Sequence, residues 1–159
     1  MAKQPKMDKN KHREERKKFR TRFQDAFPNL AEEYEVIQPS TGRYNCIAHT
    51  LRKNDQWVNP QTGPAFSPLE VMDAVFAAHS YKRASMMDFS FEPATQKIVV
   101  YAILAVDGTI ANVTHAAIQD LFGTWESKVG QGPLVRHETP NALSGPAYGQ
   151  PVALYVRTA

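Results

Sequence analysis

The sequence predicts an α+β domain in which helices come first and an antiparallel sheet follows. Three observations carry this. Phe19, Phe23, Phe27 and Leu30 recur at helical spacing near the start, and Ser67-Pro68-x-Glu70 is a capping box that opens a later helix. After about residue 95 the period changes, and β-branched runs alternate with short turn signals such as Asp107-Gly108.

The elements follow in chain order. A loose first stretch leads into a basic amphipathic helix that Pro28 is expected to end. "EYEVIQPSTGRYN" reads as a short extended piece closing in a turn. Asn45 is a good N-cap, Cys46 would be the first helical residue, and Ile47 and Leu51 are spaced to face a core. That helix fades by Asn54, and "NDQWVNPQTGPAFSP" is loop chemistry with Trp57 inside it. From the capping box, Leu69, Met72, Val75, Phe76 and His79 continue at helical spacing to about Ser80. "KIVVYAILAV", "TIANVTHAAIQ" and "TWESKVG" then read as three strands of a meander, and "PVALYVRT" follows a Gly- and Pro-rich stretch as the last strand.

Charge divides the chain. Residues 1–22 carry 10 of the 19 Lys and Arg against 3 of the 16 acidic residues, so the remaining residues hold 9 basic and 13 acidic. The basic balance therefore belongs to an arm over residues 1–28, and residues 29–159 form the α+β domain, mildly acidic in themselves. A short basic segment attracts phosphate or an acidic surface without reading bases, and it serves equally as a solvated extension. No apolar run approaches the roughly 18 residues that cross a bilayer. No apolar stretch backs the basic start, and the single cysteine forms no internal disulfide. A soluble, cytoplasmic protein is expected.

The cysteine raises the question of chemistry. A thiol at a helix start meets unpaired N–H groups and the positive end of the dipole, which favour the thiolate. The backbone amides of Asn45 and Cys46 are also placed to form an oxyanion hole. Equally, a lone cysteine beside Ile47 fills a core. His115 is the candidate base, because it falls on a strand beside Ala116 and Ala117, which leave room at the ring. A hairpin at "DLFG" would bring His115 opposite Ser127 or Lys128, with a bulge deciding which; Ser127 is the favoured orienter, and Glu126 needs the other register. His49, Trp57 and Trp125 are candidate cleft-lining residues. His12, in the arm, and His137, in a loop, have no strong claim, and His79 reads as a packed histidine. A zinc site from Cys46, His49 and His115 lacks a second ligand pair, so no metal and no cofactor is expected.

The chain order of a cysteine first on a helix, a histidine later on a strand and a polar residue on the next strand resembles the papain-like cysteine hydrolases, including small bacterial cell-wall peptidases and amidases. "YNCIAHTL", "THAAIQ", "GTWESKVG", "GPAYGQPV" and "LYVR" further resemble an uncharacterised bacterial family with Tyr-Asn-Cys-Ile-Ala, Thr-His-Ala-Ala and Ser-Lys-Leu-Gly motifs. The resemblance covers Tyr44 to Arg157 and excludes the arm. It departs at His49, where that family often has an aromatic, and in its Trp-rich loop, reduced here to Trp57. It implies a papain-like fold and a thiol-dependent acyl-transfer enzyme of amidase, peptidase (thiol protease) or deamidase type. Cys46 would be nucleophile, His115 base and Ser127 orienter, with a protein or peptide amide as substrate. The competing expectation is a catalytically inactive binding module whose basic arm contacts nucleic acid or an acidic partner.

Overall fold

The computed structural model describes residues 8–30, 34–60 and 67–158. Of the expected loose start over the first ten residues, residues 1–7 lie outside the described residues, as does the part of the Trp57 loop around Gly63 and Pro64, while Lys9 and Asn10 are already helical.

Seven strands form one sheet in the order β1-β6-β5-β4-β3-β7-β2, antiparallel at every pairing. The strands are β1 (Glu35–Gln38), β2 (Lys82–Arg83), β3 (Thr95–Leu104), β4 (Ile110–Gln119), β5 (Trp125–Lys128), β6 (Leu134–His137) and β7 (Gln150–Thr158). The helices are α1 (Lys9–Phe23), α2 (Cys46–Thr50) and α3 (Pro68–Ala77), with a 3-10 turn over Pro140–Leu143. This is a mixed α+β architecture, as the change of period predicts.

Side-chain alternation splits the core in two. On one face Val99, Tyr101, Ala117, Trp125, Val135 and Leu154 pack with Phe19 and Phe27 of the arm and with Leu143. On the other, Ile98, Val100, Ala116, Ile118 and Tyr155 pack with Ile47 of α2 and with Met72 and Phe76 of α3. The sheet is therefore the middle layer, and α2 lies on the face away from the arm.

Local chemistry explains the ends. Asp8 caps α1 by accepting from the Lys11 N–H, and Ser67 and Glu70 complete both halves of the capping box on α3. Pro28 is not what stops α1: the helix ends at Phe23, and the chain turns there through Ala26 and Phe27 N–H bonds to the Phe23 carbonyl. The simple meander also needs correction. β7 does not extend the row beyond β6 but crosses back to pair with β3, so β3 is central and runs buried from Lys97 to Ala102.

Candidate functional site

Helix α2 is short and its start is tightly held. The Asn45 side-chain oxygen accepts from the N–H groups of Ala48 and Val58, both at 3.1 Å, while its amide nitrogen donates to the Val58 carbonyl at 2.9 Å. One buried side chain thus caps the helix and ties the following loop to it, which fixes Cys46 in the first turn.

The thiol points at β4. β4 and β5 pair only at Ile118↔Glu126 and Gln119↔Trp125, so toward Ala116 the β4 edge is free of β5. The backbone N–H groups of Ala116, Ile47 and Cys46 itself are near enough to the sulfur to favour its thiolate. Cys46 is half-buried, and burial is the largest influence on the thiol, pushing its pKa up; these N–H groups and the Lys128 ammonium pull it back.

His115 precedes Ala116 on β4. Its ring is buried and lies parallel to Tyr148, centroids 4.1 Å apart with 1° between planes, and 5.2 Å from the Tyr101 ring. Among the described residues neither ring nitrogen has a hydrogen-bond partner. Burial holds the imidazole pKa well below the usual histidine value, and the charges of His137 and His49 push the same way. The ring is therefore neutral at pH 7.

Ser127 is not the orienter of His115. With β4–β5 pairing ending at Ile118, His115 has no partner on β5, and the Ser127 hydroxyl lies 2.8 Å from His137 Nε2 instead. His137, read from sequence as a loop residue, ends the buried strand β6. "LVRH" looked like loop because Gly130, Gly132 and Pro133 precede it.

The α2 side of the sheet holds further charged groups near the thiol. His49 Nε2 meets Glu126 Oε1 at 3.0 Å, Arg136 approaches Glu126 and Asp120, and the histidine holds the Glu126 carboxyl below its usual pKa against the cost of burial. Lys128 is fully buried: its ammonium donates to the carbonyls of Thr41 and Gly130, both at 2.6 Å, and lies 5.0 Å over the Tyr44 ring. Burial lowers its pKa to about 8, and the charge of a Cys46 thiolate would raise it. Trp57 is exposed, with its indole N–H on the Gly42 carbonyl at 2.6 Å, whereas Trp125 is core and stacks edge-on with Phe89. Trp125 therefore lines no cleft. Among the described residues, no three His, Cys, Asp or Glu side chains are grouped to hold a metal ion. Tyr148 and Lys128 are the two neighbours that sequence reasoning missed as functional; the signal for Tyr148 was the pair of glycines around "GPAYG", which forces a tight turn.

A family model described as a domain of unknown function (DUF7689) matches residues 35–156, from β1 into β7, leaving α1 outside. No curated protein and no solved structure matches the chain.

Proposed function

The chain belongs to the DUF7689 family, a domain of unknown function, and we propose that it is a thiol-dependent acyl-transfer enzyme of papain-like type acting on protein or peptide amides. The observation that carries this is a buried His115 ring with no hydrogen-bond partner for either nitrogen among the described residues, one position before Ala116, whose backbone N–H acts on the Cys46 sulfur. Buried polar atoms are nearly always hydrogen-bonded, and an unpaired one costs about 1–3 kcal/mol, so an unpartnered imidazole on the strand that the thiol approaches is best explained by use.

The proton inventory follows from the two burial effects. The resting pair is a neutral thiol and a neutral imidazole, not a preformed ion pair. As sulfur attacks the amide carbonyl carbon, the thiol proton passes to a His115 nitrogen and the carbonyl electrons move to oxygen. The backbone N–H groups at Asn45 and Cys46 are the proposed donors to that oxyanion. Collapse breaks the C–N bond, the amine leaves with the proton from His115, and a thioester remains. Water, deprotonated by His115, then attacks the thioester; the products are a carboxylic acid and the free thiol. Lys128 favours the transient negative charge on sulfur.

A second reading, an inactive binding module, is favoured by the upward push of burial on the thiol and by the exposed basic residues Lys9, Arg13, Lys17 and Lys18 of α1, which suit nucleic acid or an acidic partner. One experiment separates the two. Iodoacetamide should alkylate Cys46 readily near neutral pH, and His115→Ala should slow the reaction by about tenfold or more, with hydrolysis of glutamine side-chain amides and peptide bonds screened in parallel. Equal alkylation in both proteins would leave the binding module standing.

A further inference from the structure

A base that must keep one tautomer and one orientation usually leans on a polar third group. His115 has none: both nitrogens are unpartnered, and the serine expected to serve is bonded to His137. What His115 has is a parallel ring. Resting on the proposed role of His115, we infer that Tyr148 is its positioning residue, holding the imidazole plane by stacking where a hydrogen bond would otherwise do so.

The surroundings of Tyr148 are built for that. It sits in a tight hairpin closed by two backbone bonds between Gly145 and Gly149, at 2.9 and 2.8 Å. Thr114, the residue before His115, donates its hydroxyl to the Tyr148 carbonyl at 2.6 Å. The hairpin is thereby tied to the strand that carries the ring it covers. Tyr101, 5.2 Å from His115 and 6.3 Å from Tyr148, is itself fixed, its hydroxyl on the Pro140 carbonyl at 2.5 Å, so His115 meets two anchored aromatics that also meet each other. The stack also reaches the thiol electrostatically, since a Cys46 thiolate adds to burial in raising the Tyr148 phenol. Face-to-face contact fixes the ring plane without engaging either nitrogen in a hydrogen bond.

Tyr101 from β3 and Tyr148 from the hairpin contact His115, and the charges of His49 from α2 and His137 from β6 act on it. Of these four groups only Tyr148 is altered in the test. Alkylation of Cys46 by iodoacetamide is followed from pH 5 to 10 in the full chain and in Tyr148→Phe, Tyr148→Leu, Thr114→Val and His115→Ala. Tyr148→Phe keeps the stack and should stay within about twofold of the parent with the same pH profile; Tyr148→Leu should lose about tenfold near neutral pH and shift its profile toward that of His115→Ala. Thr114→Val, isosteric and safe for folding, should fall between them and serves if Tyr148→Leu does not fold. If His115→Ala is slow while Tyr148→Leu and Thr114→Val match the parent, the positioning role is overturned and the proposed function survives. If Tyr148→Phe is as slow as Tyr148→Leu, the hydroxyl and not the ring is responsible, and the inference also fails. A His115→Ala rate equal to the parent removes the proposed function itself.

Discussion

Ser127 donates its hydroxyl to His137 Nε2 across 2.8 Å. The direction follows from the other ring nitrogen: Nδ1 lies 2.8 Å from the Thr139 carbonyl, which only accepts, so Nδ1 carries the hydrogen and Nε2 is left to accept. Both ends of a buried imidazole are thus satisfied in its neutral form. Nothing in this pair needs solvent or substrate, and Ser127 is fully buried. It is a strut between β5 and β6, and the contrast with the unpartnered His115 separates a structural histidine from a candidate catalytic one.

The strut makes the fold sensitive to acid. Burial pushes His137 down to about 4, against a model-peptide value near 6.5, so between those values the unfolded chain binds the proton and the folded chain does not. Its contribution is complete above about pH 6.5 and is lost as pH falls toward 4, on the order of 3 kcal/mol in all. His115, also lowered, adds in the same direction. Urea denaturation from pH 7 to pH 4 should show stability declining over that range, with a shallower slope in His137→Gln. A flat profile between pH 7 and 5 would contradict the neutral-histidine assignment.

Lys128 should tune the thiol without touching a reacting atom. Its ammonium helps hold the Cys46 pKa down, so replacing it with Met removes the charge at similar shape and should raise that pKa. A smaller thiolate fraction at fixed pH means slower alkylation, about three- to tenfold at pH 7.5. The Thr41 and Gly130 carbonyls lose their donor, so some loss of stability, about 1–3 kcal/mol, is expected beside the kinetic effect. The two are distinguished by the pH midpoint of alkylation, which a purely structural loss leaves in place.

How far these relationships can be read from sequence depends on how local each one is. Asn45 as N-cap, Cys46 as first helical residue and the Ser67–Glu70 box all lie within one turn of chain, and the structure has each of them. The strands of the second half were legible because β-branched residues and Asp107-Gly108 mark them, yet their order was not: β7 reaches β3 over a long connection that no local pattern records. The partner of Ser127 failed for the same reason. It depended on the extent of β4–β5 pairing, which ends after two residue pairs, a length that no local sequence pattern records. His137 was hidden by the glycines and proline before it, and β2, two residues long, carries no period at all.

Gly149 should prove intolerant of any side chain. Its φ is +74°, a left-handed conformation that residues other than glycine adopt at a cost, and a Cβ there would overlap the Ala102 carbonyl on β3. Relief requires the hairpin to move off the sheet, and Tyr148 moves with it. Gly149→Ala should lose more than about 2 kcal/mol in chemical denaturation. A variant as stable as the parent would mean that the hairpin is not held against β3.

The arm is expected to be part of the cooperative fold, although the family match begins after it. Phe19 is 3 % exposed and touches three aromatic rings: Phe23 at 5.0 Å, Tyr34 at 5.5 Å and Phe27, stacked at 5.9 Å. His12 Nδ1 donates to the Val36 carbonyl and Arg16 to that of Tyr34, both at 2.8 Å, so α1 is pinned along β1 by polar bonds as well as rings. Truncating a buried Phe to Ala costs about 3–5 kcal/mol, which is a large part of a typical domain's stability. Phe19→Ala should therefore lower the denaturation midpoint of the whole protein in a single transition. Replacing the exposed Lys9, Arg13 and Lys17 with Gln should leave that midpoint nearly unchanged while abolishing any salt-sensitive nucleic-acid binding, because those side chains meet solvent and not the core. A separate early transition in Phe19→Ala, with the main midpoint unmoved, would show instead that α1 docks on a domain already stable without it.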